Sequence, residues 1–394
     1  KEALEANTTA DNNTAVGAVA LHVNTTGTHN QAIGNYALQQ CTTGSYNVGL
    51  GYNTLGGVTT ENNNVAIGDA ALEACTSGNN TAVGFRALTD ATTNGKNVAI
   101  GAYAGDGITN TNNNTAIGYE ALTDASNAGA QNTAIGAYAG QNIDNGSNNT
   151  LMGYYAGINI TSGDYNTCLG RDTGRTITDG SYNLCIGKDA GYDITSGNLN
   201  TCVGGSGAGG NITDGDSNSC FGDAAGWEVT TGGNNLLLGK DAGRSASPSG
   251  SVNTHNNIIC LGDNAIATTY IKVDWTVTSD RRDKTDITPF NHGLSWINKL
   301  NPVTYRWDNR SWYDNGEPDG SKKESKLNLG LIAQDEIEVE KEHGYGDVRD
   351  NMLVTDVNDN GNYGMQYSKL VPILINAVKE LSAEVEQLKS QINN

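Results

Sequence analysis

A five-residue phrase, Asn-x-small-apolar-Gly, returns through the first two-thirds of the chain and restricts its fold more than any other feature. "NTAVG" at 13–17 comes back as "NQAIG" (30–34), "NVAIG" (64–68 and 97–101), "NTAIG" (114–118 and 132–136), "NTCLG" (166–170) and "NLLLG" (235–239). The closing glycines stand 17 residues apart, slipping to 16 or 18, through fourteen regular copies. A degenerate fifteenth, "NIICLG" at 257–262, follows the looser stretch "RSASPSGSVNTHNN". Such a period is too short for a helical repeat and suits one coil of a parallel β-solenoid. The predicted fold is therefore mainly β: a β-solenoid or β-roll of ~17-residue coils over 12–262, with 1–11 as a lead-in from a longer fibre.

Within each copy the residue before Gly is large and apolar (Val16, Ile33, Ile67, Leu238), and the one before that is Ala, Gly, Cys or Leu. Neighbouring strand residues point to opposite faces, so this strand is apolar on both and is expected to be buried on both. A coil has one interior. The second face needs an outside cover, and another copy of the same chain is the simplest. After Gly comes a small pair (Ala139-Gly140, Ala156-Gly157), then a predicted second strand, as in "INITSG" and "YDITSG", with Gly163, Gly180 or Gly197 making the turn. The Asn opening each copy (Asn13, Asn30, Asn47 and onward) is expected to bond backbone at a corner and to stack on the Asn of the next coil.

Other recurring residues have plain readings. Cys168, Cys185, Cys202, Cys220 and Cys260 lie two before the repeat Gly, and Cys41 and Cys75 seven after one. They replace Ala or Ile at fixed coil positions, so they read as core fillers. With no CxxC and no paired His, neither a metal nor a cofactor is expected. "GGSGAGG" at 204–210 lacks the strand–helix setting of a nucleotide site. Tyr36, Tyr103, Tyr138 and Tyr155, each two after a repeat Gly, are candidates for an outward glycan-stacking stripe. Asp172, Asp189 and Asp241 recur in register as a solvated edge would. A net charge of −20 repels phosphate backbones and anionic lipid, which argues against a nucleic-acid partner. No apolar run approaches the ~20 residues that span a bilayer.

The character of the chain changes at "TSDRRDKTDI", 278–287, where six of ten positions are charged. The preceding "ATTYIKVDWTVTSD" alternates and predicts a linker strand within 263–278. Ser279 and Lys284 supply a nucleophile and a base, since a serine hydroxyl attacks only when a neighbour takes its proton and a partly buried lysine does so. Their spacing alone decides nothing. The polar stretch 308–326 reads as a protruding hairpin or loop. From Leu374 the apolar positions Leu374, Val378, Leu381, Val385, Leu388 and Ile392 step by four and three, the seam of a coiled coil over about 373–393, with Pro372 in the first turn.

Taken in order, "SDRRDKTDI", "GLSWINKLNPVTYRWD", "LGLIAQDEIEVE" and "GMQYSKLVPILINAVKELSAEVEQL" strongly resemble the C-terminal intramolecular chaperone of endosialidase-type phage tail spikes and fibres, a self-cleaving serine-peptidase family. The upstream coils resemble those of trimeric autotransporter adhesin heads and phage fibre shafts. The first resemblance covers 279–394 and implies a small α+β domain, ending in a trimeric coiled coil, that assembles three chains, helps the shaft to fold and then cuts itself off. It implies Thr278–Ser279 as the scissile bond, Ser279 as nucleophile, Lys284 as general base, and orienting roles for Asp280 and Arg282. Asp283 departs from the apolar residue often found there, and an acid beside Lys284 would favour its charged form and slow the cut. The protein implied is a homotrimeric tail fibre or spike precursor of the virion, attaching to a host-surface glycan or outer-membrane component, with no activity on external substrates. Two further readings are a trimeric adhesin or filament of the bacterial surface and a glycan depolymerase spike.

Overall fold

The computed structural model describes residues 2–92, 95–124, 129–273, 275–358 and 361–393, in two compact units, Lys1–Asp263 and Asn264–Asn394. In the first, fifteen three-residue strands, β1 (Thr14–Val16) to β15 (Ile259–Leu261), make a single parallel sheet in sequence order. Each strand is the variable-small-apolar part of the repeated phrase and pairs in register with the next copy, Ala15 beside Ala32 and Cys168 beside Cys185. The architecture is the parallel β-solenoid that the period demands.

Among the described residues the predicted second strand of the coil does not form. Residues after the repeat Gly build stacked turns instead; the amides of Thr161, Ser162 and Gly163 all donate to the carbonyl of Thr178 at 3.0–3.1 Å. The cause lies just upstream, where the stations two and four after the repeat Gly adopt left-handed φ, as at Tyr155 (+59°) and Gly157 (+56°). Such angles curl the chain and prevent an extended run. Gly163 is not needed for a turn conformation either. A Cβ there would lie 2.2 Å from the carbonyl oxygen of Gly180, so glycine is what lets successive coils touch. The lead-in belongs to the solenoid rather than preceding it: Leu4 and Ala6 donate to Ala20 and His22 at 3.1 and 3.0 Å, making 2–11 part of a coil.

Two columns fill the interior. The first is the small residue of the phrase, Ala32 through Cys220 and Leu237, fully buried. The second space is filled in one of two ways. Some coils use a leucine four after the repeat Gly with a small residue three further on, as in Leu38 with Cys41; others use glycine with a branched residue, as in Gly140 with Ile143. A Cβ at Gly140 would meet Ile143 Cδ1 at 3.0 Å, which shows that the two side chains compete for one volume. Leu38 holds φ +52°, a conformation costing an L-residue about 1–2 kcal/mol. The glycine–isoleucine solution fills the space without that strain.

The opening Asn residues form the expected ladder. Asn166 is typical: its N–H donates to Asn149 Oδ1 (2.9 Å), its Nδ2 to the carbonyl of Gly180 (2.8 Å), and its Oδ1 accepts from Asn183 N (3.0 Å) and Nδ2 (3.1 Å). In the last coil Ile258 takes this place, its N–H ending the ladder on Asn235 Oδ1 at 2.9 Å. The seven cysteines are free and buried. Burial pushes the Cys41 thiol up to about 11, while hydrogen bonding to Cys185 and complete burial hold Cys168 and Cys202 well above the usual thiol range. These thiols are fillers. One acid departs from the solvated edge: Asp172 is buried between Arg171 (2.9 Å) and Arg175 (2.7 Å).

A single chain buries only one face of the strands. Their outward residues stand in water, with Val16 58%, Ile100 41% and Phe221 40% exposed.

The second unit begins with 264–273 and 275–278, almost entirely exposed and not a strand. An extended run becomes a strand only beside another strand, and no described strand of the chain pairs with this segment. A short helix α1 (Leu294–Ile297) is followed by the antiparallel pair β16 (Val303–Tyr305) and β17 (Asn328–Gly330), with 308–326 between them. That loop organises around Asp308, which accepts from Tyr313 Oη (2.5 Å) and Gly320 N (3.0 Å). Then come α2 (Ala333–Glu342), the pair β18 (Thr355–Val357) and β19 (Tyr363–Met365), and the long α3 (Leu370–Ile392). Trp296, Val339, Val354 and Ile373 form the core. Helix α3 is fixed through Asn376 Nδ2, donating to the Phe290 carbonyl (2.6 Å), and Glu380 Oε2, accepting from Leu294 N (2.7 Å). Its other side, Leu374 through Ile392, is 40–82% exposed along the predicted seam. Among the described residues no helix is long and apolar enough to cross a membrane.

Candidate self-cleavage site

The sequence change at 278 folds into one tight turn. Asp280 caps a 3-10 turn, Arg281–Asp283, accepting from the backbone N–H of Arg282 at 2.9 Å. The same carboxylate grips the Arg282 guanidinium through Nε (3.1 and 3.2 Å) and Nη2 (2.7 Å). These bonds to Arg282 hold the Asp280 carboxyl below its usual range. The turn carries the chain back on itself, so that Lys284 Nζ lies 2.5 Å from Ser279 Oγ. Sequence neighbours five apart are thereby brought into hydrogen-bond contact by a two-residue clamp. Asp283 closes the turn, and the Lys284 amine is set on Ser279 rather than on this acid.

A serine–lysine pair works as nucleophile and base when the amine leaves water, because desolvation favours its neutral form. In one chain Thr278, Ser279, Asp283 and Lys284 are all exposed. The hydroxyl and the amine are in contact, and in one chain nothing shields them from water.

Of the four candidate tyrosines, three stand together. Tyr103, Tyr138 and Tyr155 alternate along the coils with Phe85, Tyr119 and Tyr154, neighbouring ring centroids lying 4.0–6.3 Å apart. Tyr36 lies outside this run, against Tyr52 at 5.7 Å. The three partners sit one station earlier, directly after the repeat Gly. Reading both stations together is what reveals the row.

Sequence reasoning also missed a buried acid. Glu336 on α2 is 2% exposed; its Oε1 accepts from Trp296 Nε1 at 2.8 Å, and its Oε2 is enclosed without a partner. Burial pushes this carboxyl up to about 7, the Trp296 bond opposing and the nearby Glu340 charge adding. Glu340 is fully buried as well, but its carboxylate accepts from the amides of Leu353, Val354 and Thr355 at 2.8–3.0 Å. Glu2, Glu5 and His22 are the one His/Cys/Asp/Glu group spaced for a metal ion among the described residues. All three have solvent access, and nothing buried is aimed between them.

No curated protein and no solved structure matches the chain. Residues 279–345 match the family described as chaperone of endosialidase. Behind its parallel β-solenoid the chain thus carries a chaperone-of-endosialidase domain, an arrangement of the phage tail fibre or tail spike type.

Proposed function

We propose that the protein is a homotrimeric tail fibre or spike precursor of the virion, whose C-terminal domain aligns three chains, folds the solenoid, and releases itself by cutting Thr278–Ser279. One observation carries this reading: the apolar residue on the outer face of the strands is exposed or only half-buried in every coil, from Val16 to Leu261. Covering each such residue is worth roughly 1 kcal/mol or more, summed over the coils of every chain. The bare seam of α3 points the same way, since only another copy of the helix fits its repeat. Chains whose edges stay open until three have met fold slowly and aggregate readily. A C-terminal trimeriser raises their effective concentration, and removing it afterwards leaves a shaft with no easy route back to the unfolded state.

In the cut, Ser279 Oγ attacks the Thr278 carbonyl while Lys284 takes the hydroxyl proton. The carbon–nitrogen bond breaks, the departing amine of Ser279 receives the proton, and water then hydrolyses the ester. Closure of three chains around the turn supplies the dry wall that a single chain lacks, so cutting follows assembly. The solenoid released in this way serves attachment to a host surface.

Expression of Ser279→Ala tests the reading. Wild type should yield fragments 1–278 and 279–394, while the variant stays whole and still forms a trimer that survives SDS. Whole wild-type product refutes the cut; a monomeric variant in sedimentation refutes the assembly.

A further inference from the structure

The row of rings on the solenoid stands in a setting that argues for a ligand. The station directly after the repeat Gly, which supplies Phe85, Tyr119 and Tyr154, holds Asp69, Arg171, Lys188, Asp223 and Lys240 in other coils. All five charges are exposed. An edge that keeps so many charges hydrated is not a dry seam between copies, so this line of the coil faces water in the assembled protein. On it Phe85, Tyr119 and Tyr154 are 42–45% exposed, and the alternating Tyr103, Tyr138 and Tyr155 are half-buried between them. A contiguous exposed aromatic row marks an interaction surface.

We propose that the row from Phe85 to Tyr155 is a docking strip for a linear, uncharged saccharide lying along the solenoid axis. Tyrosine offers an apolar ring and a polar tip, which suits a ligand built of repeating units with apolar faces and hydroxyl rims. The rings recur about once per coil and neighbours from Phe85 to Tyr154 stand edge to face at 79–88°, so a sugar chain along the row would meet ring faces and ring edges in alternation. Charges beside the strip are already engaged. Arg86 faces Asp106 at 3.8 Å, Glu120 accepts from Gln141 Nε2 at 2.9 Å, and Arg175 lies 4.9 Å over the Tyr155 ring. The acidic chain as a whole disfavours polyanions, so the strip suits a neutral polymer better. The inference rests on the attachment part of the proposed function and on neither the cut nor the trimeriser.

The test is calorimetric titration of the full-length, trimer-competent protein with maltohexaose, cellohexaose and chitohexaose, and with polysialic acid as the charged control. At least one neutral hexasaccharide should bind, with little dependence on salt. Combined Tyr119→Ala, Tyr138→Ala and Tyr154→Ala should weaken it about 10-fold or more, with the thermal midpoint and the Thr278–Ser279 cut unchanged. The matching three Tyr→Phe changes, which keep the rings, should retain most of the affinity and guard against a folding artefact. The strip is refuted if no neutral hexasaccharide binds, if the alanine variant binds as well as wild type, or if only polysialic acid binds. Dissociation of the trimer by the alanine changes would refute it too, by showing a subunit seam. In each case intact cutting and assembly of the wild-type protein would leave the precursor reading standing.

Discussion

Replacing Glu336 by Gln should stabilise the C-terminal domain, and only above mildly acidic pH. The side chain is enclosed, with one oxygen on Trp296 and the other unpartnered. Its carboxyl is raised from 4.5 to about 7 by burial. A carboxyl raised on folding contributes stability that is fully present below the unfolded value, about 4.5, and is gone once pH has risen past the folded value, about 7. A shift of about 2.5 units at 1.36 kcal/mol each makes that contribution about 3 kcal/mol. Glutamine copies the protonated acid, keeping the acceptor for Trp296 and placing an N–H where the acid carries O–H. The variant should therefore match wild type near about pH 4 and exceed it by about 3 kcal/mol near about pH 8. Hydrogen exchange of peptides spanning α1 and α2, corrected for intrinsic rates at each pH, reads the opening free energy locally. Equal destabilisation by Gln at both pH values would mean that Glu336 works as a charged partner, and the reasoning would be wrong.

Further outcomes follow from the solenoid and the turn. Asn166→Ala strips partners from the buried Asn183 N–H and Gly180 carbonyl; at about 1–3 kcal/mol per orphaned group, exchange of the Asn183 amide should accelerate by well over about tenfold. Gly105→Leu places a side chain against Leu88 and Ile108 in a left-handed conformation, lowering stability by about 2–5 kcal/mol. Adding Ile108→Cys, which reproduces the Leu38–Cys41 pairing, should recover the packing share of that loss in a urea titration. Lys284→Arg keeps a cation beside Ser279 but no base, so electrophoresis should show an uncut chain that still assembles.

The period, the parallel stacking, the Asn ladder and the cysteine column were all legible in the sequence, because each is a local rule repeated at fixed spacing. The missing second strand was not. "INITSG" has strand-like composition, and what cancels it is backbone handedness at Tyr155 and Gly157, set by packing inside the coil. The exchange of Leu38–Cys41 for Gly140–Ile143 was in plain view as paired changes three residues apart, though it has meaning only once both side chains share a volume. In the C-terminal unit, "LGLIAQDEIEVE" offers no sign that Glu336 turns inward, since the contact that holds it comes from Trp296, forty residues earlier. The Ser279–Lys284 approach lay between these cases: the residues were legible, while the clamp of Asp280 on Arg282 that closes the turn is geometry.

The long interval before the final strand shows how such a rod changes length. Gly262 follows Gly239 by 23 residues, yet Ile258 still reaches Asn235 and Leu261 still pairs with Leu238. The surplus is looped out, and the mating surfaces of the two layers are untouched. Each layer recognises only the layers next to it, so whole layers are interchangeable parts. Duplicating or deleting one re-creates the same joint, which lets the solenoid grow or shrink in unit steps while the C-terminal unit stays as it is.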